Sequence, residues 1–361
     1  MATEVVKIVD PDNGSGTDYT SLSAWEAGQQ QDLVTNDRIA VAKCRCTGGT
    51  ADTTAVTISG WTTDLTHYIT IWTDPAEGYR HEGKWQTGNK YRISIDDDAG
   101  IILEEFDIRL DGLQVEITNV ENSGRTAIRN WADSWPSTGE TYITNCIVKG
   151  VTDTNTFNHE GIGLYDASST GGSGVKFFIA NCVAYNFRSI EPWQWAAGFD
   201  HDCESGSSSA YFYNCTAHNC DHGFIGTNTK VTNCIANDCT AGKDFYLYAG
   251  SWISGSGYNA TDLSDANSGA PGSNNRYEQT FSFVDADNGD FHLQASDTGA
   301  KGYGLNLYND SYYAFQNDID GQDRGGSGAS WDIGADEVIT VGGIPPWMLS
   351  RTRATQHIIV R

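Results

Sequence analysis

Positive charge is scarce in this 361-residue chain: 22 lysines and arginines face 47 aspartates and glutamates, for a formal net charge of −25. A surface of that sign repels phosphate backbones and anionic bilayers, so nucleic acid is not an expected partner. Proline is nearly missing, at 7 residues, and methionine more so, at 2. No run of about 18 apolar residues occurs, which removes membrane insertion by a helix from the readings. The opening MATEVVKIVDPDNG has no basic stretch followed by an apolar one, so no signal peptide is visible. The expected location is therefore a virion, or the outside of the cell after non-classical release. Also missing are a nucleophilic triad, a phosphate-binding loop, a dinucleotide loop and a His-Glu-x-x-His motif. The nine cysteines are an odd number, and without a visible export signal they read as mostly reduced thiols.

Helical periodicity is rare too. Its clearest stretch is DYTSLSAWEAGQQQDL, where Ser23 and Glu26 have capping-box spacing and Leu22 and Trp25 share a face. What fills the chain instead is short β-branched and aromatic runs between turns built from the 40 glycines and many Asn, Asp and Ser: AVTIS, HYITIW, YRISI, FDIRLDGLQVEI, TYITNCIV, KFFIANCVA, AYFYNCTA and KVTNCIA. The last four align on Asn-Cys. Cys146, Cys182, Cys215 and Cys234 are separated by 36, 33 and 19 residues. Each is preceded at three positions by Ile143, Ile179, Phe212 or Val231, and followed at two by Val148, Ala184, Ala217 or Ala236. A straight strand cannot point all of these one way, because its side chains alternate. A left-handed bend at Asn restores the parity. A second alignment, through GIGLYD, AAGFDHD, HGFIGT and KDFYLYA, puts Leu164, Phe199, Phe224 and Phe245 at one level.

Repeated strand–bend–strand units that cannot bury a face alone must stack. The expected fold is all-β, a single-stranded right-handed parallel β-helix, its hand set by the crossover rule. Residues 1–50 would form the N-terminal cap, with its capping helix, and the first coil. Residues 51–280 would form the β-helix, 281–340 its closing segment, and 341–361 a linker and docking tail. On this reading Cys146, Cys182, Cys215 and Cys234 form a buried column, with Cys220 and Cys239 one turn later. A zinc site involving His218 and His222 is the competing explanation. No metal site is assigned and no cofactor expected, although structural calcium is possible at the Asp-rich turns 10–18, 95–100, 285–290 and 318–323, none of which is an EF-hand loop.

GTDYTSLSAWEAG, HYITIWTDPAEGYRHEGKW and RLDGLQVEI resemble right-handed β-helix proteins of the pectate-lyase-like superfamily. The end of the chain resembles the closing segment of bacterial and phage β-helix proteins, with its D-x-D-G-x-x-R…D-I-G-A-x-E pattern. Asp318, Asp320, Gly321, Arg324, Asp332, Ile333, Gly334, Ala335 and Glu337 match it. The resemblance implies the fold and leaves the function open, because this architecture hosts lyases, hydrolases, adhesins and tailspikes.

Adjacent coils of such a solenoid are about 4.8 Å apart, so acids on neighbouring coils can meet. Glu160, Asp200 and Asp202 are the candidate catalytic carboxylates, with spacings close to those that glycosidases use. Trp193, Trp195, His201, Asp221 and His222 are the candidate glycan-binding residues, the two indoles forming the floor. The first functional expectation is a tailspike- or fibre-like phage virion component, homotrimeric by analogy, that binds host surface glycans. The alternative is a polysaccharide-degrading enzyme, a hydrolase sooner than a lyase. A bacterial surface adhesin comes third. A lyase would draw its base from Lys149, Lys176, Arg188 or Lys243. The tail WMLSRTRATQHIIVR, with Trp347, Met348, Leu349, Arg351 and Arg353, reads as a docking peptide for another virion protein.

Overall fold

Short strands with an apolar inner side and a polar turn at each end become stable when each pairs with its equivalent one coil away. The chain does this throughout, forming a parallel β-helix of three walls. The computed structural model describes residues 2–119, 124–132, 136–151, 159–166, 174–189, 196–203, 208–240 and 243–338. The first wall runs from Thr3–Val9 through Arg38–Cys44, Ile69–Trp72, Ile108–Asp111, Thr138–Thr144 and Gly174–Ala180 to Ser209–Tyr213. The second holds Val56–Ile58, Ile101–Leu103, Arg125–Asn130, His159–Asp166, Ala197–Cys203 and Phe245–Trp252. The strand His222–Thr232 belongs to both: its first half pairs with Ala197–Cys203 and its second half with Ser209–Tyr213. The third wall runs from Ile93–Asp96 to Ala260–Thr261. Among the described residues no helix is long and apolar enough to cross a membrane.

The expected bend is there. Asn145, Asn181, Asn214 and Asn233 have φ of 53°, 52°, 49° and 57°, the left-handed region that Asn tolerates. After each bend the cysteine turns inward, and Cys146, Cys182, Cys215 and Cys234 are fully buried free thiols. Ile143, Ile179, Phe212 and Val231 stand in register one coil apart, as do Val148, Ala184, Ala217 and Ala236. Phe199, Phe224 and Phe245 stack with centroids 4.9 and 5.2 Å apart. Leu164 is not at their level, however. Ile162 faces Phe199, and Leu164 faces His201 two positions on. Ile162 and Leu164 both point inward, and a shift of two leaves that alternation unchanged, so the pattern could not reveal the register.

The helix Leu22–Gln29 starts from Ser21, whose Oγ accepts from the Ala24 amide, and not from Ser23. Starting there places both Leu22 and Trp25 inside the helix, and both are fully buried. Trp25 stacks on Trp61 at 5.6 Å, so the helix closes the N-terminal end of the core. Glu26, freed from capping, accepts from the Ser59 amide and the Trp61 indole.

The closing segment packs outside the third wall. Phe291, Ile319 and Ala335 cover Ile147, Val183 and Tyr185, while Leu293, Ala300 and Ile333 cover Ile235 and Ala260. Its sequence motif is a hydrogen-bonded clasp. Arg324, with no exposed side-chain surface, pairs with Glu337 at 3.1 Å and donates to the carbonyls of Gly334 and Ala335 and to the Asn181 side chain. Asp318 accepts from the amides of Asp320, Gln322 and Glu337. The bend asparagines supply the other half: Asn214 donates to the carbonyls of Asp332 and Gly334, and Asn233 to that of Leu305. Gly334 has φ 99°, and a Cβ there would lie 2.6 Å from Ile235.

Candidate functional site

Five neighbouring strands of the second wall build the site, and an irregularity of the wall makes it possible. A Cβ on Gly161 would meet Val148 and Ala184 in the interior, and Ile162 is buried beside it, so two successive residues face inward. Glu160 before them, and Gly163 and Tyr165 after them, are left outside. Gly163 stands opposite Arg129 on one side and Asp200 on the other, and Tyr165 opposite Asp202. Since Gly163 has no side chain, the Glu160 carboxylate lies over it: a Cβ there would be 2.6 Å from Oε2. Glu160, Asp200 and Asp202 thus line one cleft of about 320 Å³ with Thr126, Arg129, Tyr165 and Tyr248.

The electrostatics of the cleft follow from burial. Glu160 and Asp200 are each only 6% exposed. Burial pushes Glu160 up to about 7, aided by repulsion from Asp202 and opposed by the Arg129 guanidinium and the Thr126 hydroxyl. Asp200 is pushed well above the usual carboxylate range by burial, then by Glu160 and Asp202. Its Oδ1 has no hydrogen-bond partner among the described residues. Asp202 is the most exposed of the three. The Tyr165 hydroxyl donates to Glu160 Oε2, and Thr126 Oγ1 donates to the same oxygen at 3.3 Å. Arg129 lies 3.9 Å above the Trp131 ring, which packs edge-on against Tyr165 at 5.8 Å.

The three acids chosen from the sequence therefore meet. Of the residues chosen as glycan contacts, His201, Asp221 and His222 do not line the cleft with them. His201 is fully buried on the inner face, bonded to Thr229 at 2.8 Å and Ser208 at 3.0 Å, with its ring 6.0 Å from Phe177. It points inward because its neighbours in the strand, Asp200 and Asp202, point outward. Asp221 holds a turn, accepting from the Ser189 amide and the Thr240 hydroxyl. His222 bonds the Lys243 carbonyl at 2.8 Å and packs on Tyr246. Trp193, Trp195 and the tail residues Trp347, Met348, Leu349, Arg351 and Arg353 lie outside the described residues. Among the described residues, no three of His, Cys, Asp and Glu converge to hold a metal ion. His218 bonds Asn237, and Cys220 and Cys239 are buried. The Asp10 and Asp12 carboxylates accept from backbone amides of their own loop and of residues 47–50.

Sequence reading missed Thr126, Arg129, Trp131, Tyr165 and Tyr248. Arg125–Asn130 has no Asn-Cys to align, but RTAIRNW places two arginines and an indole together in a chain with only 22 basic residues.

Fold and site together define a parallel β-helix protein with a carboxylate cleft on one wall. No family model matches the chain, and no curated protein does. Among solved structures, it is similar to the pectin methylesterase from Aspergillus niger in deglycosylated form, at 10% identity and a TM-score of 0.37, over 85% of this chain and 96% of that one. It is also similar to pectate lyase Pel9A, at 12% identity and a TM-score of 0.32, over 93% and 97% of the two chains. At identities and scores this low, function has to be argued from the cleft itself.

Proposed function

We propose that the protein is a glycoside hydrolase that cleaves polysaccharides through Glu160, Asp200 and Asp202. The observation that carries this reading is a carboxyl group held near 7 in an open cleft, with two further acids beside it. Such a group is a proton donor at neutral pH, and donors tuned near the working pH are the efficient ones. Glu160 donates its proton to the glycosidic oxygen as the bond to the anomeric carbon breaks. Asp202 takes a proton from the water that forms the new bond to that carbon. Repulsion from Asp202, added to burial, helps keep the proton on Glu160. Thr126 and Tyr165 hold Glu160 in place.

A surface that only binds glycans has no need of a carboxyl group protonated at neutral pH, so the cleft favours cleavage over the receptor-binding rod expected first. A virion setting and a trimer rest on resemblance to tailspikes and are compatible with either activity. A lyase is less well supported, because Lys149, Lys176, Arg188 and Lys243 do not line the cleft. Lys149 instead pairs with Glu116, and Arg188 bonds Asn219.

The test is release of reducing ends from a panel of bacterial and plant polysaccharides. Glu160→Gln and Asp202→Asn should each slow release about a hundredfold or more. No release by folded wild-type protein on any polymer, or release that survives Glu160→Gln, would remove the hydrolase reading.

A further inference from the structure

The row of outward side chains that carries Asp202 continues along the solenoid axis. Tyr165 stands opposite Asp202, Trp131 packs on Tyr165, and Tyr248 enters the cleft from the strand at its far side. Trp131 is 39% exposed and Tyr248 46%, whereas most large rings here are buried. Trp131 directly follows the strand Arg125–Asn130 and Tyr248 lies in Phe245–Trp252, two strands four steps apart in the wall, about 19 Å. The acids lie between the two rings. An exposed ring at either end of an acidic cleft is a pair of platforms for the apolar faces of sugars.

The path does not stop at Trp131. The Trp131 amide donates to the Leu103 carbonyl, which sets Trp131 beside Glu104 on the neighbouring strand, and Glu104 lines a second cavity, of about 700 Å³, formed by Pro136, Thr138 and the turns that follow Val56–Ile58 and Ile101–Leu103. The two cavities are therefore consecutive along one edge of the second wall. Leu65, 55% exposed, gives the second cavity an apolar surface. Its charged lining among the described residues is Asp64, Glu104, Glu105 and Asp107, with no lysine or arginine. Crowding already shows there: burial, then Asp64 and Glu140, push Asp107 up to about 6 despite a hydrogen bond from the Glu140 amide. In the first cleft the one basic residue among the described lining, Arg129, is occupied by Glu160 and the Trp131 ring.

We infer that the two cavities form one binding path for an internal stretch of polysaccharide, lying along the solenoid axis between Tyr248 and Trp131 and on past Leu65, and that the chain it accepts carries no anionic groups. The inference rests on the hydrolase reading for its direction of attack, but binding tests it separately. Uronate or sulfate groups would face seven carboxyl groups, with one arginine to balance them, among the described lining residues. Neutral hexoses, or hexosamines with free amino groups, meet no such barrier. Acids set between two platforms also lead to cleavage inside a chain and not at its end.

The experiment is affinity electrophoresis and product analysis with a neutral glucan, a neutral galactan, chitosan and polygalacturonate, using wild type, Trp131→Ala, Trp131→Phe, Tyr248→Ala and Glu160→Gln. Expected is retention by a neutral or amino-bearing polymer, weakened about tenfold by either alanine and restored by Trp131→Phe, with Glu160→Gln showing retention without release of products. Early products should be long oligosaccharides, with short substrates cut slowly. Retention by polygalacturonate above the others, or platform variants that bind and cut every chain length as wild type does, overturns the inference while leaving the hydrolase reading intact. Retention that depends on Trp131 and Tyr248 with no cleavage of any polymer upholds the binding path and removes the hydrolase.

Discussion

If Glu160 is the proton donor, activity must fall as pH rises through its pKa of about 7, and Arg129 sets where that fall lies. Arg129 favours the ionised form of Glu160, so removing its charge should raise the pKa and carry the falling limb to higher pH. The size can be worked out. Glu160 lies over Gly163, whose partner on the next strand is Arg129, so the charges are roughly 5 Å apart. At that distance and an effective dielectric of about 20, they interact by about 3 kcal/mol. Arg129 is only partly buried, and solvent screening leaves about half of that. The limb should move by about one pH unit in Arg129→Met. The assay is kcat/KM against pH on the best polymer, for wild type and variant, with melting temperatures measured in parallel. A limb that stays put in a folded, active variant would show that Glu160 is not the donor, or that Arg129 does not reach it. A downward shift would refute the sign of the argument.

Gly163→Ala should cut activity at least about tenfold with a small change in melting temperature, because the new methyl would occupy the place of the Glu160 carboxylate; near-normal kinetics would mean the carboxylate does not lie over Gly163 during turnover. Arg324→Met should cost about 3–5 kcal/mol in chemical denaturation, since Glu337 and several carbonyls lose their buried partner; a loss under about 1 kcal/mol would refute the clasp. The clasp should also loosen at alkaline pH. Burial opposes protonation of His292, yet Asp320 and Asp290 raise it to about 9. That stabilisation is complete below the unfolded value near 6.5 and is lost as pH climbs through about 9. Proteolysis within 281–338 should quicken over that window in wild type and much less in His292→Gln.

The sequence by itself determined the coil. Asn-Cys with apolar residues three before and two after permits one backbone path, a strand bent at Asn, and burying many such faces in series requires a parallel stack. That is local steric and hydrophobic logic, and Asn145, Asn181, Asn214 and Asn233 obey it. The sequence also singled out Glu160, Asp200 and Asp202, because acids on successive coils of a solenoid become neighbours. It could not settle which side chains surround them. His201 belonged to the same run as Asp200 and Asp202, but the alternation of one strand sends it inward. The level of Leu164 was invisible because a slip of two residues preserves alternation. Arg129 and Trp131 reach the cleft only through pairing between strands that are not adjacent in sequence. The pKa of Glu160 was likewise beyond the sequence, since it depends on burial and on charges brought near by the stack. What tertiary structure decided was the register between coils, and register turns three scattered carboxylates into a cleft.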